Sequence, residues 1–232
     1  MAIARSGITC RVLGGIMKAL FFRLVVLIAV FGSLCWTAWG GPLENKAVSA
    51  PLVDVKKAIP DVTVAMQYAT ADNFTGKVLY DCNRCFLTEA TARKLAKARM
   101  ELKKQQLGLK MWDCYRPLSV QKLFWSLVPD PRYVADPAKG SRHNRGTAVD
   151  VTLVDSRGNE LPMPTRFDDF SAKASRDNMD LPVQILKNRE TLENAMKKAG
   201  FLPLPTEWWH FDDNEWQSFE LLDIRFSDIC HN

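Results

Sequence analysis

One stretch constrains the chain more than any other: Thr147-Ala148-Val149-Asp150-Val151-Thr152-Leu153-Val154. Its β-branched content and strict alternation predict a strand, with Val149, Val151 and Leu153 on one face and Ala148, Asp150 and Thr152 on the other. A carboxylate in the middle of such a strand needs a partner, because a buried charge is costly unless it is paired or coordinates a metal. The sequence supplies imidazoles for that purpose sparingly. The 232 residues hold only three histidines, of which His143 lies seven residues before Asp150 and His210 closes Glu207-Trp208-Trp209-His210.

Two imidazoles and one carboxylate form a ligand set for a catalytic zinc ion, which takes three protein ligands and leaves a position open. His143, Asp150 and His210 are the predicted ligands. Gly146 lets the chain turn after His143 so that Asp150 returns to the same point. Glu207 supplies an acid that is not a ligand, suited to general-base work. It stands three residues before His210, so a straight strand would face the two side chains apart, and a turn or bulge is expected between them. Each signal has a blander reading: a structural histidine, a buried hydrogen-bonding Asp, a Trp pair that is only core. Their conjunction favours the metal site.

The remaining pattern predicts an α+β domain, with helices packed on a mostly antiparallel sheet that carries the zinc site. A helix is expected from Thr88 as N-cap through Ala92, Leu95, Ala98 and Leu102, stopped by Gly108. Residues 109–112 alternate like a strand. Ser119 is expected to open a second helix, and a third runs from about Asn188 to Lys198 and stops at Gly200. Phe201 to Phe211 reads as extended chain broken by Pro203 and Pro205.

The N-terminus reads as a targeting segment. Lys18 and Arg23 precede the apolar run 24–31, and Ala38-Trp39-Gly40 places small residues where a signal peptidase cuts. Residues 1–40 are therefore expected to be a signal peptide cleaved after Gly40, or else a retained membrane anchor. Met17 is the better initiator. Residues 41–60 look like a linker, and 61–232 like a single catalytic domain. Of the formal net charge of +5, four units belong to Arg5, Arg11, Lys18 and Arg23 in a leader without acids. The body is near neutral and offers no electrostatic case for nucleic acid. Membrane contact is expected only through an uncleaved leader, and the sequence does not indicate an oligomeric state. Export, into a periplasm-like compartment, would let Cys82, Cys85, Cys114 and Cys230 pair. Of the three possible pairings, Cys82–Cys85 with Cys114–Cys230 is the one expected. Cys82-Asn83-Arg84-Cys85 lacks the second CxxC and nearby histidine of a zinc knuckle.

Ser141-x-His143-x-x-Gly146-x-Ala148-x-Asp150 together with Glu207-Trp208-Trp209-His210 resembles the zinc D-alanyl-D-alanine dipeptidases of the VanX type. Further segments match in order: Tyr68-Ala69-Thr70-x-Asp72-Asn73-Phe74-Thr75-Gly76, then Trp112-Asp113-x-Tyr115-Arg116-Pro117, then Arg166-Phe167-Asp168. The resemblance implies one zinc ion on His143, Asp150 and His210, with Glu207 activating water. It implies that Arg116 stabilises the oxyanion and Asp168 pairs with the substrate's free ammonium, while Ser141 and Tyr68 line the pocket. The implied substrate is D-alanyl-D-alanine or a similar small D,D-dipeptide. The alternatives are a D,D-carboxypeptidase trimming longer peptidoglycan stems and, less favoured, a non-catalytic zinc-binding module. A leader is not found in some relatives, which opens the question of where the dipeptide comes from.

Overall fold

The structure, a computed structural model, describes residues 47–231. The expected signal or anchor segment, the choice between Met1 and Met17 and the first part of the expected linker lie outside the described residues.

A five-stranded sheet forms the frame. Its strands are β2 (Thr63–Val64), β4 (Gly108–Asp113), β5 (Ala148–Val154), β6 (Phe201–Pro203) and β7 (His210–Asp213), in the spatial order β2-β4-β5-β7-β6. Only β2 and β4 run parallel, and the other neighbours are antiparallel. The expected α+β architecture with a mostly antiparallel sheet is what folds. A second, two-stranded antiparallel sheet pairs β1 (Leu52–Asp54) with β3 (Phe86–Thr88). Residues 52–58, part of the expected linker, thus form β1 and the short helix α1 (Val55–Ala58), with Val55 fully buried in the core.

Two long helices, α2 (Glu89–Lys103) and α4 (Val183–Ala199), pack on each other and on the sheet. Ala92, Leu95, Ala98 and Leu102 bury the predicted face of α2, and the Thr88 hydroxyl caps it by accepting the Thr91 N–H at 3.2 Å. The stop differs from expectation. Gln106 turns the chain at φ 58°, and Gly108 instead opens β4, where a Cβ would stand 2.9 Å from the Val154 side chain. Helix α4 starts five residues earlier than its apolar spacing indicates. Pro182, at φ −51°, leads into a first turn whose residues are not buried, so no periodicity marks it. Gly200 ends it at φ 100°, as expected. Helix α3 (Leu118–Leu127) begins one residue before Ser119, whose N–H and hydroxyl both donate to Asp223. The last element is α5 (Phe226–Ile229).

Every residue of β5 is buried, on both faces. Val149, Val151 and Leu153 join the apolar core. The opposite face, which carries Asp150, is covered by loops rather than by water, and that is where the site lies.

Candidate metal centre

His143, Asp150 and His210 come together from three segments. Asp150 and His210 face each other across the β5–β7 ladder. His143 sits in a single 3-10 turn, His143–Arg145, whose end is Gly146 at φ 67°. A Cβ there would meet Leu52 Cδ2 at 2.6 Å and the Thr88 backbone nitrogen at 3.3 Å, so both the left-handed turn and the space require glycine. All three side chains are buried, and one donor atom from each lies within 4.8 Å of the others.

The tautomers follow from the hydrogen bonds. His143 Nδ1 is 2.7 Å from the Cys114 carbonyl oxygen, which can only accept, so Nδ1 carries hydrogen. His210 Nε2 is 2.9 Å from an Asp212 carboxylate oxygen and donates to it. Each imidazole is thereby left with one free nitrogen, His143 Nε2 and His210 Nδ1. These point at each other across 3.1 Å, and lie 3.4 Å and 3.0 Å from the two Asp150 oxygens. Three lone-pair donors facing one point repel unless a cation sits among them, which is the donor chemistry of a zinc site. Without a metal, a proton takes that place. Burial works against a charged His210, but Asp212 and Asp150 outweigh it and push its pKa up to about 10. Burial likewise disfavours charge on Asp150, yet the two imidazoles hold it well below the usual carboxylate range.

Glu207 reaches the same place because the chain turns between β6 and β7. Pro203 ends β6 and residues 205–209 form turns before His210 re-enters the sheet, which is the break that the spacing of Glu207 and His210 required. The Glu207 carboxylate lies 3.9 Å from His210 Nδ1, and burial pushes its pKa up to about 8. Arg116 stands opposite. Its guanidinium donates to Asp113 Oδ2 at 3.0 and 2.6 Å and to Gln121 at 2.8 Å, lies over the Phe124 and Tyr68 rings, and comes within 3.9 Å of Asp150. Asp113 is satisfied in turn by the Tyr80 hydroxyl and the Cys114 N–H.

Asp168 is held at φ 57°, in the left-handed region that a non-glycine residue occupies at a cost of about 1–3 kcal/mol. Its two oxygens accept the Tyr68 hydroxyl at 3.1 and 3.0 Å. Burial, followed by the Asp150 charge, raises its pKa well above the carboxylate norm. Tyr68, Arg116, Asp150, Asp168 and Glu207 all line one cavity of ≈ 20 Å³, together with Phe74, Tyr133 and Phe170. Ser141, expected to line the pocket, accepts the His143 N–H with its hydroxyl at 3.2 Å. Two contributors were not anticipated from the sequence. Asp212 was findable, because it shares a face of β7 with His210. The Cys114 carbonyl left no trace, because any residue carries one.

The cysteines pair as Cys82–Cys230 and Cys85–Cys114, which corrects the expected pairing. Cys85 leads directly into β3, and the Tyr115 N–H donates to the Phe86 carbonyl, so the chain after β4 lies beside it with the Cys85 and Cys114 Cα atoms 5.4 Å apart. Cys82 lies beside the C-terminal α5, near Cys230.

A buried His-Asp-His donor set, an unligated buried acid and a buried guanidinium around one small cavity define a metal-dependent hydrolase, and the chain is a zinc metallopeptidase. Residues 48–230 match the Peptidase_M15 model, described as D-ala-D-ala dipeptidase, and the chain belongs to that family. It is 39% identical to the D-alanyl-D-alanine dipeptidase of Escherichia coli (strain K12) over 76% of this chain and 91% of that protein. It is 32% identical to the D-alanyl-D-alanine dipeptidase of Enterococcus faecium, over 62% of this chain and 82% of that protein. The Enterococcus faecalis enzyme of the same name is 31% identical, over 72% and 89%.

Proposed function

We propose that this protein hydrolyses D-alanyl-D-alanine, or a similarly small D,D-dipeptide, with zinc held by His143, Asp150 and His210. The observation that carries the reading is the convergence of the two free imidazole nitrogens on the Asp150 carboxylate, with Glu207 and Arg116 at the same cavity. Zinc bound in such a set polarises a carbonyl and makes water a stronger acid.

The protein's own groups divide the remaining work. Glu207, unligated and buried, takes a proton from the attacking water and returns it to the departing amine. Arg116 is fixed by Asp113 and Gln121, so its remaining donor capacity is preorganised for the negative charge that develops on the substrate carbonyl oxygen. Asp168 is a half-buried acid whose charge desolvation and Asp150 disfavour, and a substrate ammonium would relieve that penalty. This gives the site a physical reason to demand a free amino end.

Purified protein with zinc should release D-alanine from D-Ala-D-Ala, stop on addition of a chelator, and turn over the N-acylated dipeptide far more slowly. A preference for the N-acylated substrate would move the assignment to a D,D-carboxypeptidase, and zinc binding without turnover of either would reduce it to a binding module.

We further read the protein as exported, with residues 1–40 as its leader. The apolar run and Ala38-Trp39-Gly40 support this, and so do two disulfides, which persist in oxidising compartments. N-terminal sequencing of the protein from a periplasmic extract tests it: a start at Gly41 is expected, and an intact start in the cytoplasm refutes it.

A further inference from the structure

The two disulfides have different surroundings. Cys82 and Cys230 are half-buried and tie a loop to the C-terminal helix. Cys85 and Cys114 are completely buried, and Cys114 touches the metal centre through its main chain.

Cys114 lies one residue past the end of β4, so no ladder hydrogen bond fixes its peptide. Four contacts do. Its N–H donates to Asp113 Oδ1 at 2.9 Å, its carbonyl accepts His143 Nδ1–H at 2.7 Å, the Tyr115 N–H of the same peptide donates to the Phe86 carbonyl at 2.9 Å, and its sulfur is bonded to Cys85. Cys85 is itself anchored, because its carbonyl accepts the Val55 N–H at 2.9 Å and the next residue begins β3. The segment then continues into the catalytic residues: the Arg116 N–H donates to the His143 carbonyl at 3.1 Å, and Asn144 donates to the Arg116 carbonyl at 2.8 Å. One covalent bond thus reaches from the small β1–β3 sheet to the carbonyl that sets the His143 tautomer and to the backbone that carries Arg116.

We propose that the Cys85–Cys114 disulfide is a positioning device for the active site, aiming the Cys114 carbonyl so that His143 presents Nε2 to the metal, whereas Cys82–Cys230 serves stability alone. The proposal rests on His143 being a zinc ligand. Cys114 acts through His143 and is a positioning residue, since it reaches neither metal nor substrate. Outer partners of metal-bound histidines typically set affinity by about 10- to 100-fold, and loss of the disulfide lets this one wander.

The test compares zinc affinity, by competition with a chromophoric chelator, in four full-length proteins: the parent, Cys85→Val/Cys114→Ala, Cys82→Ala/Cys230→Ala and His143→Ala. The Val–Ala pair keeps the space filled with apolar atoms. Circular dichroism of the metal-free proteins reports folding, and D-Ala-D-Ala kinetics separate kcat from KM. Cys85→Val/Cys114→Ala is expected to fold, bind zinc about 10-fold more weakly and lose kcat at saturating zinc with little change in KM. Cys82→Ala/Cys230→Ala is expected to keep the parent's zinc affinity and kcat but melt earlier. If the first pair does not fold, the Cys82→Ala/Cys230→Ala protein refolded with Cys85 and Cys114 as free thiols takes its place, and reoxidation should restore kcat. Parent-like zinc affinity and kcat without the Cys85–Cys114 bond, while His143→Ala loses zinc, overturns the proposal and leaves the ligand set standing. Parent-like zinc binding by His143→Ala overturns the ligand set itself.

Discussion

Protons at two side chains decide how the site responds to pH. His210 is held protonated well above neutrality by Asp212 and Asp150, against the opposing pull of burial. A metal needs the lone pair that this proton occupies. Zinc binding near neutral pH is therefore expected to expel about one proton per chain, and affinity to rise about tenfold per pH unit until the pH nears 10. Calorimetric titration in buffers of different ionisation enthalpy measures both, and a proton count of zero would mean that His210 is already neutral in the metal-free protein. In the proposed role of general base Glu207 works only when ionised, and burial pushes its pKa up to about 8. A nearby cation favours the charged form, so zinc loading brings that value down. The acid limb of kcat/KM should accordingly lie below 8 and fall about tenfold per unit as pH drops through it. Glu207→Gln should retain zinc and lose about 10²- to 10⁴-fold in kcat, measured as D-alanine release. The grouping of His143, Asp150 and His210, with Glu207 beside them, was legible in the sequence because histidine is scarce and each histidine stands near a carboxylate. The groups behind them were not. A main-chain carbonyl has no sequence signature, and Asp113 becomes significant only because β4 ends beside β5, where it faces Asp150.

At the level of the elements, the ends of strands do most of the placing. Strand β4 is irregular between Met111 and Asp113, which sets Asp113 against Asp150 and leaves its carboxylate to clasp Arg116. Asp113→Ala removes the partner of a buried cation. It should cost on the order of 3–5 kcal/mol, read from urea unfolding of the metal-free protein. Strand β5, the N-cap at Thr88 and the stop at Gly200 follow from local pattern, and their residues carry the signal themselves. Disulfide partners carry no such signal. Cys82 and Cys230 meet because the whole intervening domain brings them together, and spacing along the chain misleads about them.

For the molecule as a whole, the apolar core needs no staple at this size, yet Cys82–Cys230 joins cysteines 148 positions apart. In the chain-entropy account, closing a loop that long stabilises by about 4–5 kcal/mol. Cys82→Ala/Cys230→Ala should therefore lower Tm by on the order of 10 °C, measured by calorimetry under non-reducing conditions. A change within a degree or two would mean that the unfolded chain is already compact around these residues.

The same bond has a topological result. Arg116, His143, Asp150, Asp168, Glu207 and His210 all lie inside the closed ring it makes. A protease that cuts an exposed loop once within that ring opens it without releasing a fragment, so the nicked enzyme migrates as one band until a reductant is added. A single scission is then survivable, because both halves of the zinc site stay on one covalent molecule.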